Sequence, residues 1–221
     1  MSDKFILFNE RMVEAIRERQ KTQTRRAINP QPSYPYLWNK VSPNGMQLWT
    51  TNSVQGEKGE TELRHCPYGG RGGRLLVRER CQIYGRWVRN GVTRTGRQRW
   101  RFSTHASHQA RYAGDFVAQP KDRETLGFWN RPSIFMPKWA VRIVLEIVKV
   151  RAQRLQEISE ADILAEGITV DRVAKWTKTS WADMPTLHSA WGVLWDSINA
   201  ERGYGWDINP WVWAITFKLS Q

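Results

Sequence analysis

A mixed α+β domain with a barrel-like arrangement of strands is the fold class this sequence predicts, and three observations carry that prediction. Short strand-like runs are dispersed over the whole length, few segments carry a helical apolar stripe, and no regular β-α alternation joins them. The 221 residues are 40% hydrophobic and 25% charged, as in a soluble globular protein of one generous domain or a compact core with large insertions. Neither an internal repeat nor a low-complexity tract is present.

Lys4 to Phe8 reads as a short strand. Asn9 then opens a helix in which Met12, Val13 and Ile16 share one face while Glu10, Arg11, Glu14 and Arg17 meet water, with its end near Arg19. The polar, basic run Gln20 to Arg26 follows as a candidate site loop. Pro30, Pro32, Pro35 and Pro43 then exclude regular structure, and residues 44–73, ending in Gly69-Gly70-Arg71-Gly72-Gly73, read as irregular surface chain. Arg74 to Glu79 is a strand. Arg86 to Thr93 reads as a hairpin turning on Asn90-Gly91, because that dipeptide suits the left-handed turn that twisted strands require.

Ala140 to Val150 alternates apolar positions as a long strand buried largely on both faces would. Ser159 is placed as an N-cap, with Asp162 three residues later, Ile158 and Ile163 as a hydrophobic staple, and Gly167 as the C-cap of a helix over 160–166. Leu187, Ala190, Trp191, Leu194, Trp195 and Ile198 mark a longer helix from near Asp183 to Gly203. Trp211 to Leu219 closes the chain as a strand.

Lys and Arg number 34 against 21 Asp and Glu, a formal net charge of +13. That balance favours nucleic acid or an anionic ligand, although a solvated arginine surface gives the same count. The thirteen Trp supply core volume first and faces for base stacking second. Residues 86–101 hold six Arg, two Trp and no acid. Such a mixture suits a surface that meets phosphates with guanidinium and bases with rings, and equally an edge hairpin kept unpaired by charge. No apolar run approaches the roughly 20 residues of a membrane helix. The apolar stretch Phe5 to Phe8 is too short for a secretory signal, so a cytoplasmic location without membrane association is expected. Cys66 and Cys81 are then reduced thiols.

Three groups of residues could carry chemistry. Glu166 falls at the C-terminal turn of the short helix, where the macrodipole disfavours negative charge by about 0.3 to 1 kcal/mol, so it needs a cation or serves as an acid or base. Lys21 and Thr24 stand three apart, and a neutral amine can deprotonate a hydroxyl if a turn brings them together; an extended strand would send them to opposite faces. A neutral Lys21 requires burial or nearby like charge, which Arg25 and Arg26 could supply, and the same three cations could equally clamp a phosphate without turnover. His65, Cys66, Cys81, His105 and His108 lack ligand spacing, so no metal is expected, and neither a nucleophile elbow nor a phosphate-binding Walker loop occurs.

The run Lys21-Thr22-Gln23-Thr24-Arg25-Arg26 after an amphipathic helix resembles the ASCH signature G-x-K-x-x-T-x-R, with Arg19 in place of the leading Gly. The resemblance extends through Gly73 to Glu79, Ile158 to Glu160, Ala165 to Ile168, Pro132 to Trp139 and Gly205 to Trp213, and is similar to the longer ASCH proteins of phages and prophages. It leaves about 30–65 and 86–128 as insertions in a single domain, 1–221. The resemblance implies a PUA-like mixed β-barrel with flanking short helices and RNA-related roles. By the same resemblance, the chain is an amidohydrolase that removes the acyl group from N4-acetylcytidine and related N4-acylated cytosines, with Lys21, Thr24 and Glu166 catalytic. Thr24 would attack, Lys21 would take its proton, and Glu166 would orient Lys21 or substrate and help protonate the leaving amine. Arg26, Arg25, Arg19 and Glu79 would bind substrate, no metal or organic cofactor would be required, and RNA would be a further partner through the basic Arg/Trp surface. An RNA-binding module without turnover and an ASCH-type ribonuclease remain the alternatives. A Gly after a helix often takes a positive φ, so Arg19 marks a place where the turn carrying Lys21 could differ.

Overall fold

Twelve strands and four α-helices alternate irregularly along the chain in the computed structural model, which describes residues 3–32, 38–41, 46–50, 61–184 and 186–220. In order they are β1 (Lys4–Leu7), α1 (Glu10–Arg17), β2 (Gln23–Ala27), β3 (Trp38–Val41), β4 (Met46–Thr50), β5 (Thr61–His65), β6 (Arg74–Arg78), β7 (Cys81–Val92), β8 (Gln98–Thr104), β9 (Ala110–Tyr112) and β10 (Gly127–Arg131). They continue as β11 (Val144–Arg154), α2 (Glu160–Ala165), α3 (Val170–Thr177), α4 (Leu187–Asn199) and β12 (Trp211–Leu219). The fold is therefore mixed α+β. Its strands lie in a five-stranded sheet ordered β1-β6-β11-β12-β2, a sheet ordered β10-β7-β8 with β9 against β7, and a sheet ordered β3-β4-β5. None of these closes into a barrel among the described residues, so α+β holds and barrel closure does not appear.

Several local expectations need correction. The Pro-rich and Gly-rich passages contain β3, β4 and β5, paired antiparallel, while Pro35 and residues 42–45 and 51–60 lie outside the described residues. Asn90-Gly91 does not turn the hairpin. β7 runs on to Val92, the register slips between Arg89 and Val92, and Gly91 takes φ +72 inside that bulge. The reversal comes later, where Thr93 N–H donates to Arg97 O at 2.8 Å and Gly96 sits at φ +77. The strand expected from Ala140 starts at Val144, because Pro137 leads into a 3-10 turn over Lys138–Ala140 and the Tyr112 hydroxyl donates to Ala140 O at 2.6 Å. The last helix begins at Leu187 rather than Asp183, with the Thr186 side chain as its cap.

Contacts gather the chain into two compact units. The first comprises residues 1–4, 14–75 and 145–221. Its β12 pairs with β11 on one side and β2 on the other, both antiparallel, with Thr24 opposite Ile215 and Arg26 opposite Trp213. Ile163, Val173, Trp191, Trp195 and Val212 belong to one of its apolar clusters, and the Trp195 indole N–H donates to Tyr204 O at 2.6 Å. Trp191, Trp195, Trp211 and Trp213 are all buried, so these rings are core rather than stacking platforms.

The second unit comprises residues 5–13 and 76–144. The Asn9 side chain caps α1 by accepting from Met12 N–H at 2.9 Å. Cys81, Ile83, Met136 and Ala140 form its apolar cluster, with Phe102, Tyr112 and Val141 against it. A Cβ at Gly85 would come within 2.3 Å of Ser103 O and 2.8 Å of the Phe102 ring, so the close approach of β7 to β8 demands glycine there.

Candidate functional site

The site expected around Lys21 is built in the first unit by the end of α1, the start of β2 and the end of α2. Helix α1 closes with Gln20 N–H and Lys21 N–H both donating to Ala15 O, at 2.8 and 3.0 Å. Between the helix and Lys21 stands Arg19 at φ +60. The left-handed turn that a glycine would supply is therefore adopted by an exposed arginine, at a cost of about 1 kcal/mol. Replacing Arg19 by Gly should raise stability by up to about 1 kcal/mol, or about 2 to 4 °C in Tm for a chain of this size. A thermal melt that fell instead would mean that the Arg19 side chain has a stabilising role of its own.

Lys21 forms an isolated antiparallel bridge with Glu166, and Thr22 N–H donates to Ala165 O at 2.8 Å. Gly167 follows at φ +76, and a Cβ there would stand 3.2 Å from the Cβ atoms of both Ala15 and Lys21. The Ser159 side chain accepts from Asp162 N–H to start α2, as its spacing predicts, and Glu166 is the C-cap. Lys21 and Glu166 thus meet because a helix end, a bridge and a glycine fix both backbones.

The Lys21 ammonium donates to Glu166 Oε2 at 2.6 Å and to Glu166 O at 3.0 Å. It supplies the cation that a carboxylate at a helix C-terminus requires. Both side chains are almost wholly buried, at 2% and 3% exposure. Burial pulls the Lys21 pKa below the ordinary lysine range, Glu166 opposes that shift, and the charges of Arg26 and Arg25 add to it.

Arg25, Gln23 and Arg151 tie this pair to the rest of the sheet. Arg25 Nη1 reaches Glu166 Oε1 at 3.2 Å and its Nη2 reaches Asp162 Oδ2 at 2.7 Å. Gln23 Nε2 donates to Asp162 Oδ1 at 3.0 Å, and Arg151 binds Asp162 Oδ2 while its Nε donates to Gln153 Oε1 at 2.6 Å. Asp162 and Glu166, four apart on one helix, present one acidic face to a row of cations on the sheet. Sequence reading used Asp162 only as a cap position and missed Gln23, Arg151 and Gln153; the i, i+4 spacing of the two acids was the available signal.

Strand alternation separates the remaining residues. Gln23 and Arg25 face α2, so Thr24 and Arg26 occupy the other face of β2, beside Ile215 and Trp213. Thr24 is buried at 3% exposure, and its hydroxyl takes part in none of the hydrogen bonds around Glu166. The segment is strand from Gln23, not the turn that direct Lys21 to Thr24 contact would use. Burial lowers the Arg26 pKa, against the pull of Tyr68 and Glu166. Trp213, Tyr68, His65, Ala27 and Asn29 line a hollow of about 470 Å³ in this unit, a size that accommodates a small ligand.

Glu79 belongs to the second unit, where Arg142 grips it through two parallel bonds of 2.8 and 2.9 Å. Its carboxylate is committed to that pair. Burial pushes the Cys66 thiol up to about 12 and the Cys81 thiol up to about 11, so neither is a thiolate at neutral pH. Among the described residues, no three His, Cys, Asp or Glu side chains gather as a metal ligand set, and no helix is long and apolar enough to cross a membrane.

Compared with family profiles, curated protein sequences and solved structures, the chain matches none of them.

Proposed function

We propose that this chain is an ASCH-type amidohydrolase with a PUA-like fold, releasing the acyl group from N4-acylated cytidine or cytosine. The observation that carries the reading is the Lys21 amine, buried and 2.6 Å from Glu166, with its pKa drawn down by burial. Burial makes this lysine give up its proton more readily than an exposed one, as a general base must, although Glu166 opposes that shift. The family resemblance supplies the substrate class, and the hollow beside β2, with the half-buried Tyr68 in its lining, has a size that accommodates a base.

In the proposed reaction, the Thr24 oxygen attacks the acyl carbonyl and its proton passes to neutral Lys21. The tetrahedral intermediate collapses, the C–N bond breaks, and the N4 amine leaves with a proton returned by Lys21, which Glu166 holds in place. Water then attacks the Thr24 ester, giving the carboxylic acid and free Thr24. Arg26 is on the same face of β2 as Thr24, the face on which an oxyanion would form in this proposal. Lys21 is held on Glu166 while Thr24 lies on the opposite face of β2, so in this proposal the proton passes between them only after a rearrangement at the start of the strand when substrate binds. Such catalytic contacts commonly tighten only when substrate is bound.

Chromatographic assay with N4-acetylcytidine and bulkier N4-acylcytidines tests the reading. Wild type should release cytidine and Glu166→Gln should lose about 10²-fold or more. Folded wild type that releases nothing from any of these substrates rejects the proposal and leaves RNA binding without turnover or another RNA chemistry.

A further inference from the structure

The sheet of the second unit has two chemically different faces. Register places Cys81, Ile83 and Trp87 of β7 on the same face as Phe102 of β8, Trp129 and Arg131 of β10 and Tyr112 of β9. That face packs on Met136 and Ala140. The two tryptophans that the sequence offered for stacking, Trp87 and Trp100, lie on this face and are half-buried. Arg131 lies 5.0 Å over Trp87 and 4.5 Å over Phe102, and Arg123 lies 5.5 Å over Trp100.

The opposite face carries Tyr84 and Arg86 of β7, Arg99 and Arg101 of β8, Phe128 of β10 and Arg111 of β9, and no acidic side chain on any of the four strands. Arg86, Arg99 and Arg101 are exposed, and none of the three forms an ion pair among the described residues; on this hairpin the paired arginine is Arg89, with Glu124, and it belongs to the other face. Tyr84 and Phe128 are half-exposed neighbours with ring centres 5.1 Å apart. His105 stands edge-on to Tyr84 at 5.3 Å. Arg111 lies 4.6 Å over Phe128 and donates to the Asp115 carbonyl.

We propose that this outer sheet face binds single-stranded nucleic acid, with Arg86, Arg99 and Arg101 meeting phosphates and Tyr84 and Phe128 receiving unpaired bases. Four arginines without an acid on one flat face are complementary to a polyanion. Arg99 and Arg101, two residues apart on one strand, stand ~6.8 Å apart along it, so successive cations follow an extended backbone. Rings set among them favour a strand whose base faces are open, since a duplex hides those faces in its own stack. The assignment goes beyond the hydrolase reading and stands whether or not Lys21 and Glu166 turn over a substrate.

The test is fluorescence anisotropy with a labelled single-stranded RNA of mixed sequence, ~12 nucleotides long, titrated between ~50 and ~200 mM salt. Wild type should bind with strong salt dependence. The triple variant Arg86→Ala, Arg99→Ala, Arg101→Ala should flatten the log–log salt slope by about 2, from ~0.7 per phosphate contact. Tyr84→Leu, checked for folding by its melt, should weaken binding about fivefold or more. The variant Arg71→Ala, Lys149→Ala, Lys175→Ala loses the same charge from exposed positions of the first unit and should bind as wild type does. The proposal fails if that control loses as much as the first triple. It also fails if duplex RNA or heparin competes as well as the single strand while Tyr84→Leu has no effect, or if wild type does not bind.

Discussion

Lys21→Arg should cut acyl release by about 10²- to 10⁴-fold while preserving the fold, the range seen when a general base is removed. The guanidinium keeps the positive charge and can still pair with Glu166, but it does not give up its proton at accessible pH. The loss therefore reports on proton transfer rather than on the ion pair. The pH profile carries the same information with a defined sign. Burial draws the Lys21 pKa below its ordinary value, with Glu166 opposing. The base is the neutral amine, so kcat/KM should rise with pH and level off at an inflection below the ordinary lysine value of about 10.4. Thr24→Val supplies an independent arm, because it keeps the volume and β-branching of the buried side chain and removes only the attacking oxygen. Thr24→Ser should retain part of the activity. Full activity in Thr24→Val would eliminate the covalent route, and a wild-type profile with no rise anywhere below the ordinary lysine value of about 10.4 would eliminate Lys21 as the base.

The sequence revealed most where one local rule decided the outcome. Ser159, Asp162 and Gly167 marked both ends of α2, the largely apolar run Trp211 to Leu219 marked β12, and the meeting of Lys21 with Glu166 was implied by family resemblance together with the odd placement of an acid at a helix C-terminus. Long-range competition hid the rest. Asn90-Gly91 is a hairpin signal by itself, yet continued pairing of β7 with β8 makes it a bulge. Helix α3 was missed although the Thr169 side chain caps it and Val170, Val173, Ala174 and Trp176 pack on the core, because its eight residues are too few for an apolar stripe to repeat. Charge counts also cannot tell which arginine is spent inside. Arg25 is taken up by Asp162 and Glu166 and Glu79 by Arg142, which only the tertiary structure reveals.

Asp162→Ala should be strongly destabilising. Arg25 is fully buried, with side-chain exposure of 0%, and shares its charge between Asp162 and Glu166. The same carboxylate also accepts from Gln23 and Arg151. Removing one partner of a buried pair leaves an uncompensated charge and costs about 3 to 5 kcal/mol, a large share of the roughly 5 to 15 kcal/mol that holds a domain folded. Asp162→Asn should be nearly as harmful, since its amide NH₂ would face donors and only one oxygen could accept. Acid titration separates charge from shape. Burial alone would raise the Asp162 pKa, but hydrogen bonds from Arg151 and Gln23 and the charges of Arg25 and Arg151 hold it below the usual aspartate value. A depressed carboxyl contributes stability that is complete above about pH 3.9 and is lost as pH falls through the lower folded-state value. Wild-type stability should therefore drop in that acid window more steeply than that of Asp162→Asn, measured by denaturant midpoints at a series of pH values. Parallel acid curves for the two proteins, or an Asp162→Ala midpoint close to wild type, would mean that Glu166 alone compensates Arg25. In that case the helix-to-sheet network would be dispensable for holding the Lys21 partner in place.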